Sequence, residues 1–279
     1  MTPEQNARAF IDKKLEQSGW MIQDIKTLKP NASLGIAVRE FPTDTGPVDY
    51  ALFVNGIPVG VIEAKKNTAG ENITATEVQS ARYANSTFKW VKAEYFIRFA
   101  YEATDKLIRF TNYKDIKFRS RTVFSFHRPE TLEALLASSD TIRNNMKHFP
   151  PLDETGFRKC QVNAIRNLDN SFANNRPKAL VQMATGAGKT FTAITAAYRL
   201  LKYGKMNRIL FLVDTKSLGE QAEREFLAYT PNDDPRSFSQ FYGVRRLKSS
   251  YIPSDVQICI STIQRMYSIL SGEELDEST

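Results

Sequence analysis

Cysteine and histidine are nearly absent from this sequence of 279 residues, which holds two of each. Cys160 and Cys259 stand apart in helical and strand-like surroundings. That excludes a disulfide framework and points to a reducing compartment, so the expected location is the cytoplasm. His127 and His148 supply no Cys/His cluster, which excludes a structural zinc. No run of about eighteen apolar residues occurs, so no transmembrane helix and no membrane partner are expected. The start, Met1-Thr2-Pro3-Glu4-Gln5-Asn6, lacks the basic and then apolar opening of a secretory signal. Blocks of one-signed charge are also missing: the net +7 divides evenly into +4 over residues 1–150 and +3 over 151–279. That balance accords with a polyanionic partner without singling one out. What remains, 42% hydrophobic and 25% charged residues, describes a globular chain long enough for two domains.

The first element reads as a helix. Thr2 caps it, Pro3 takes the first position, Gln5 completes a capping box, and Gly19 stops it. Ala7, Phe10, Ile11 and Leu15 recur at helical spacing. After a short strand over Trp20–Ile25, two β-rich runs, Val48–Val54 and Ile57–Lys65, flank Asn55-Gly56, a hairpin signal. A helix over Ala75–Asn85 and strands over Tyr95–Ala100 and Leu107–Thr111 complete a compact α/β unit around a mixed sheet. A helix over Arg128–Ala137 follows, and Phe149-Pro150-Pro151 marks the domain boundary, giving domains 1–148 and 149–279. Beyond it come a helix over Cys160–Phe172, a strand over Ala179–Met183, a glycine loop and a helix over Lys189–Tyr203. A strand over Arg208–Val213, a helix over Ser217–Ala228 and a strand over Val256–Ser261 then predict a parallel, doubly wound sheet.

Met183-Ala184-Thr185-Gly186-Ala187-Gly188-Lys189-Thr190 carries the most specific chemistry. Between a buried-type strand and an amphipathic helix, Thr185, Gly186, Ala187 and Gly188 turn their backbone N–H groups around phosphate oxygens. Lys189 adds a point charge for the β- and γ-phosphates, the Thr190 hydroxyl ligates Mg²⁺, and the helix N-terminus adds its partial charge. Position 183, where the general pattern has its first glycine, holds Met183. The Ala-Thr-Gly-Ala-Gly-Lys-Thr form resembles superfamily 2 helicases and translocases. Phe157-Arg158-Lys159-Cys160-Gln161 is similar to their glutamine motif, and the resemblance implies that Gln161 reads the adenine edge of ATP. Phe211–Gln221 resembles motif Ia, and Ile260–Met266 resembles the next segment, which in that family contacts nucleic-acid phosphate. In that family an Asp-Glu pair ending the next strand (motif II) completes the site. Asp276-Glu277 has no apolar strand before it and reads as a charged tail. The expectation is a motor domain truncated before motif II, which binds ATP without turning it over.

The second constellation is Asp49, Glu63, Ala64 and Lys65, spaced Asp-x13-Glu-x-Lys, which resembles the PD-(D/E)xK nuclease signature. Two carboxylates, Asp49 and Glu63, offer hard oxygen ligands to Mg²⁺, and the carbonyl of Ala64 between the strand residues is a third candidate. Glu63 and Lys65 share a strand face, so Lys65 can orient the nucleophile or stabilise charge on phosphorus. Register sets a condition. A plain two-residue Asn55-Gly56 turn pairs Val54 with Ile57 and throws Asp49 and Glu63 onto opposite faces. A three-residue loop or a bulge near Gly60 restores them to one face. Alone the pattern equally describes a solvated strand face. Gln79 and Tyr83, at i and i+4 of the following helix, form a Gln-x3-Tyr motif. It resembles one that accompanies the nuclease core in type I restriction motor subunits and recombination nucleases. Lys114, Lys117, Arg119 and Arg121 alternate with Phe118 and read either as DNA contacts or as an exposed basic edge. Arg245, Arg246 and Lys248 read as a phosphate-contacting or merely solvated loop.

A nuclease core followed directly by a superfamily 2 motor resembles the motor (R) subunit of type I restriction–modification enzymes. The resemblance runs from Gly19-Trp20 to Met266. It implies a PD-(D/E)xK restriction-endonuclease-like domain with a mixed sheet, then a partial RecA-like P-loop domain with a parallel sheet. It further implies Mg²⁺-dependent cutting of double-stranded DNA, ATP-driven translocation, and methylation and specificity subunits as partners. Two other readings remain open. One is a superfamily 2 helicase or translocase whose first domain binds DNA without cutting it. The other is an ATP-responsive DNA-binding regulator, which leaves Asp49, Glu63 and Lys65 unexplained together.

Overall fold

The structure is a computed structural model and describes residues 3–43, 46–65, 97–176, 178–249, 251 and 253–271. The chain divides into two compact units, Met1–Thr141 and Ile142–Thr279. Residues 142–148 go with the second unit, although the sequence places the boundary after 148. The reason is local packing: Ile142–Asn145 and the 3-10 turn Met146–His148 lie on the helix Lys159–Ala173, and Asn145 Nδ2 donates to Gly204 O.

In the first unit α1 (Pro3–Gln17) stops at Gly19, whose φ of +85° is the left-handed turn expected of a helix-ending glycine. Seven described strands follow: β1 (Met21–Asp24), β2 (Gly35–Thr43), β3 (Gly46–Val54), β4 (Ile57–Ala64), β5 (Phe99–Ala103), β6 (Ile108–Asn112) and β7 (Arg121–Val123). They form one sheet in chain order, parallel at β1–β2 and β4–β5 and antiparallel elsewhere. The expected mixed sheet is present; β2 and β7 join it without having been anticipated. The helix expected over 75–85 lies outside the described residues.

Both faces of the sheet centre are buried, which is why Ala51-Leu52-Phe53-Val54 is apolar without alternation. Tyr50, Leu52, Ile62, Tyr101 and Phe110 pack with Ile11 and Leu15 of α1 and Leu132 of α2 (Pro129–Ala137). Val38, Ala51, Phe53, Val61 and Ala100 pack on the opposite side. Two of the four basic residues near β7 have structural duties. Arg121 pairs with buried Asp115, and Lys114 Nζ donates to Ser138 O at 3.0 Å.

The second unit holds α3 (Ile142–Asn145), α4 (Lys159–Ala173), α5 (Lys189–Lys202), α6 (Lys216–Ala228) and α7 (Ile263–Ser271). Its strands β8 (Ile209–Val213), β9 (Gly243–Arg246) and β10 (Val256–Thr262) form a parallel sheet ordered β8-β10-β9. Ile194, Tyr198, Leu201, Ala222, Phe226, Phe238, Ile258 and Ile260 make its core. Two expectations are corrected here. Residues 179–183 are not a strand: among the described residues nothing pairs with them, and Leu180 stands 94% exposed. An apolar run becomes a strand only where a neighbouring edge accepts its backbone groups. Arg245-Arg246 is not a loop but part of β9, and Arg246 Nη1 bonds Glu220 of α6 at 2.6 Å.

His127 ties the first unit's sheet to its loops. The Tyr101 hydroxyl meets its Nδ1 at 2.7 Å, and Trp20 Nε1 donates to its carbonyl at 2.9 Å. Burial, assisted by Arg121, holds the imidazole down at about 4. An unfolded histidine titrates near 6.5, so the native state favours the neutral ring. This contribution to stability is complete above about pH 6.5 and is lost as pH falls toward 4. The loss at pH 5 is about 2 kcal/mol. In urea unfolding of the whole chain, the drop in stability from pH 7 to pH 5 should shrink by that amount in His127→Gln. An equal drop in both proteins would show that His127 is not the proton-linked group.

Candidate functional site

The hairpin β3–β4 meets the register condition by means of a bulge. Its turn is the two-residue Asn55-Gly56, with φ of +50° and +73°, and Val54 pairs with Ile57. Phe53 then faces Pro58 while Leu52 faces Gly60, so Val59 is the extra residue on β4. From there Ala51 pairs with Val61 and Tyr50 with Ile62. The ladder ends at that pair, and one step further along each strand come Asp49 and Glu63, so the bulge brings them to the same level of the hairpin. Of the two devices that restore the pairing, the chain uses the bulge.

Beyond Tyr50 the Asp49 side chain takes over the link between the strands, its Oδ2 accepting from Ala64 N at 2.9 Å. In an extended strand a residue's N–H and C=O face the same edge, so the Ala64 carbonyl also faces β3. Lys65 Nζ lies 3.8 Å from Glu63 Oε2, and Lys65 N donates to Ala103 O on β5. The side chains of Asp49, Glu63 and Lys65 are 21%, 16% and 25% exposed: shielded, yet open to a ligand. Two acids, a carbonyl and an ammonium thus meet at one end of the hairpin. Gln79 and Tyr83 lie outside the described residues.

Two charged groups here escaped the sequence reading. Arg8 of α1 donates from Nη1 to Glu40 Oε1 at 2.8 Å and from Nη2 to Asp49 Oδ1 at 3.3 Å. The sequence pattern of α1 marks only its apolar side. Glu102, largely buried, pairs in register with Glu63 across β4–β5 and with Arg109 across β5–β6. The strand predicted over 95–100 stopped short of it.

In the second unit the glycine loop leads straight into α5. Gly186 and Gly188 have φ of +75° and +87°, and Gly188 is the N-terminal cap of α5. The left-handed backbone favours glycine at 188, and a Cβ there would also push the Gln161 amide aside. Lys189 Nζ folds back onto Ala184 O at 3.2 Å. Helix α4 grips the loop from outside. Arg158 Nη1 donates to Gly186 O at 2.6 Å, and Gln161 Nε2 donates to Ala187 O at 3.1 Å. Gln161 Oε1 accepts from Arg158 N at 2.9 Å, the return half of a capping box. One N–H and one lone pair of the Gln161 amide remain beyond these bonds, the complement of an adenine edge. The motif alone gives Arg158 no role. Its bond to the loop carbonyl is visible only in three dimensions.

Comparison with known proteins finds a match to part of each unit. Residues 154–279 match the family described as "Type III restriction enzyme, res subunit", and residues 21–125 match "Type I restriction enzyme EcoKI endonuclease subunit second domain". The type I restriction enzyme EcoKI endonuclease subunit of Escherichia coli (strain K12) is 29% identical over 94% of this chain and 27% of its own length. The SauCOLORF180P endonuclease subunit of Staphylococcus aureus (strain COL) is 24% identical over 80% of this chain and 25% of its own length. The chain therefore spans about a quarter of the length of these curated relatives. UvrABC system protein B of Leptospira biflexa is 32% identical over 39% of the chain and 15% of its own length. A fragment structure of an HsdR subunit of a type I restriction enzyme from Vibrio vulnificus YJ016 is 19% identical, with a TM-score of 0.34, covering 98% of this chain and 49% of that one.

The grip of α4 on the loop yields a measurable coupling. Gly188→Ala forces a side chain into the left-handed region, at a cost of about 1 kcal/mol, and adds a collision with Gln161. In the Gln161→Ala background the collision term disappears and the backbone term stays. Denaturant unfolding of the four-protein cycle should therefore show Gly188→Ala costing about 1 kcal/mol more with Gln161 present. Equal costs in the two backgrounds would mean that Gln161 does not pack on Gly188.

Proposed function

We propose, for a chain that is a homologue of the endonuclease subunits of type I restriction enzymes along nearly all of its length, that its first unit cuts double-stranded DNA and its second belongs to an ATP-driven motor. The observation that carries the cutting role is the Val59 bulge. It supports the reading by bringing Asp49 and Glu63 to the same level of the hairpin, with Asp49 Oδ2 on Ala64 N and Lys65 3.8 Å from Glu63. The first unit would then be a PD-(D/E)xK domain and the second a RecA-like P-loop domain.

The donor set fits a hard divalent cation, and Mg²⁺ is the ion proposed. Asp49 and Glu63 offer carboxylate oxygens at one end of the hairpin, and the Ala64 carbonyl faces the same edge. The Ala64 carbonyl is the third protein ligand of this proposal, because the N–H of the same residue already faces Asp49. A metal held there supplies polarisation of the scissile phosphate and acidification of the attacking water. The chain's own part is placement. Asp49 is fixed by Ala64 N–H, Glu63 by its strand, and the Lys65 ammonium is held by Glu63 where it can orient the nucleophile and offset charge on phosphorus. Gln79 and Tyr83 are assigned to the same site by the resemblance alone.

In the second unit ATP is proposed to bind with its phosphates on Thr185 to Thr190, Lys189 leaving Ala184 O for the β- and γ-oxygens. Thr190 would take Mg²⁺, and Gln161 would take the adenine edge with its remaining donor and acceptor. Double-stranded DNA and the methylation and specificity subunits of a restriction–modification complex are the partners this reading requires.

In the full-length subunit assembled with those partners, Glu63→Ala or Lys65→Ala should lower DNA cleavage at least ~100-fold while ATP hydrolysis and translocation persist. Lys189→Ala should remove binding of a fluorescent ATP analogue and leave the first unit folded. Wild-type cutting by Lys65→Ala would sink the role given to that lysine. DNA binding with no metal-dependent cutting in the unaltered protein would favour the non-cutting translocase instead.

A further inference from the structure

A cation already sits on the proposed metal site. Arg8 projects from α1 with its two terminal nitrogens divided between Glu40 at 2.8 Å and Asp49 at 3.3 Å. Asp49 is thereby satisfied twice, at Oδ1 by the guanidinium and at Oδ2 by Ala64 N–H. The two donors differ in permanence. Ala64 N–H belongs to the sheet. Arg8 is a long side chain, 44% exposed on an α1 whose core contacts are made by Ile11 and Leu15 one turn and two turns further on. Glu40, its other partner, is 65% exposed and has a left-handed φ of +48° on β2. An exposed ion pair of this kind is weak and easily exchanged.

A divalent ion taking up Asp49 meets a unit positive charge a few ångströms away, so Arg8 and the metal compete for the same oxygen. A guanidinium displaced from Asp49 needs another anion, and the nearest one that arrives with the substrate is a DNA phosphate, which its planar fork fits. We propose that Arg8 is a positioning residue that exchanges Asp49 for a DNA phosphate, so that it opposes metal binding in free protein and supports DNA binding once metal is present. This rests on the metal-site reading above. It adds to that reading a residue outside the signature, and a reason for the site to fill only when substrate arrives.

The test uses the whole chain and two equilibria of opposite sign. Mn²⁺ binding without DNA, measured by calorimetry or by quenching of the free ion's paramagnetic signal, should tighten roughly twofold to fivefold in Arg8→Gln at low salt. Arg8→Lys, which keeps the charge, should stay near the unaltered protein. Binding of a short DNA duplex in Ca²⁺ should weaken in Arg8→Gln, and the slope of log affinity against log salt should fall by about one. Unchanged or weaker Mn²⁺ binding by Arg8→Gln, or an unchanged salt slope, overturns the exchange. Asp49→Asn separates this from the underlying reading. If it binds Mn²⁺ as the unaltered protein does, Asp49 is no ligand, and the metal site falls along with the role of Arg8.

Discussion

Side-chain alternation along a strand has a period of two, so one residue more or less in β4 decides which carboxylates can meet. The hairpin turn at Asn55-Gly56 is the tight two-residue kind, and by itself it would leave Asp49 and Glu63 on opposite faces of the sheet. Val59 absorbs the mismatch. Because the bulge lies between the turn and the acids, the turn keeps its favoured geometry, Ala51 and Val61 stay in the core, and the acids come abreast only where the hairpin opens. The buried packing on both faces fixes that register. A slip of one residue would turn Leu52 and Ile62 against Ala51 and Val61 throughout, and the core would resist it.

The second unit solves its positioning problem without register. The proposed phosphate cradle would need inward backbone N–H groups, and two left-handed glycines, held from behind by α4, give the loop the turn that could supply them. The bond that satisfies Arg158 N at the start of α4 occupies Gln161 Oε1, so a local helix-start contact also aims the Gln161 amide at the loop. Arg158, the cap residue, reaches Gly186 O by the same logic. Errors in this unit act by degrees, since a misplaced cap loosens a loop. Errors in β4 act all at once, since a misplaced residue removes an acid from the site.

What could be read from the sequence follows that division. Local signals were legible: the Asn55-Gly56 turn, the Gly19 stop, the glycine loop before α5, and the need for an odd residue near Gly60. The non-local ones were not. Strand β2 carries Arg39, Glu40 and Pro42 inside it, which masks its alternation. It forms a strand because β3 lies along it, while Asp12 of α1 takes up Arg39 and Arg8 of α1 takes up Glu40. Residues 179–183 have the composition of a buried strand, yet Leu180 is exposed, because composition does not supply a neighbouring edge. Arg245 and Arg246 looked like a basic loop until Glu220 and Glu223 of α6 came opposite Arg246.

The candidate site divides in the same way. Asp49, Glu63 and Lys65 were visible because the chemistry demands their types at a spacing that strand geometry can satisfy. Arg8 and Glu102 were invisible, because each reaches the site from an element whose own pattern gives no hint of it. A helix turned so that Asp12 accepts the Tyr50 hydroxyl must carry Arg8 one turn earlier on the same side, toward Glu40 and Asp49. A strand that pairs Tyr101 with Ile62 must pair Glu102 with Glu63. Both charged neighbours are therefore consequences of core packing. The contacts that bury Tyr50, Ile62 and Tyr101 also set the charge environment of the acids beside them.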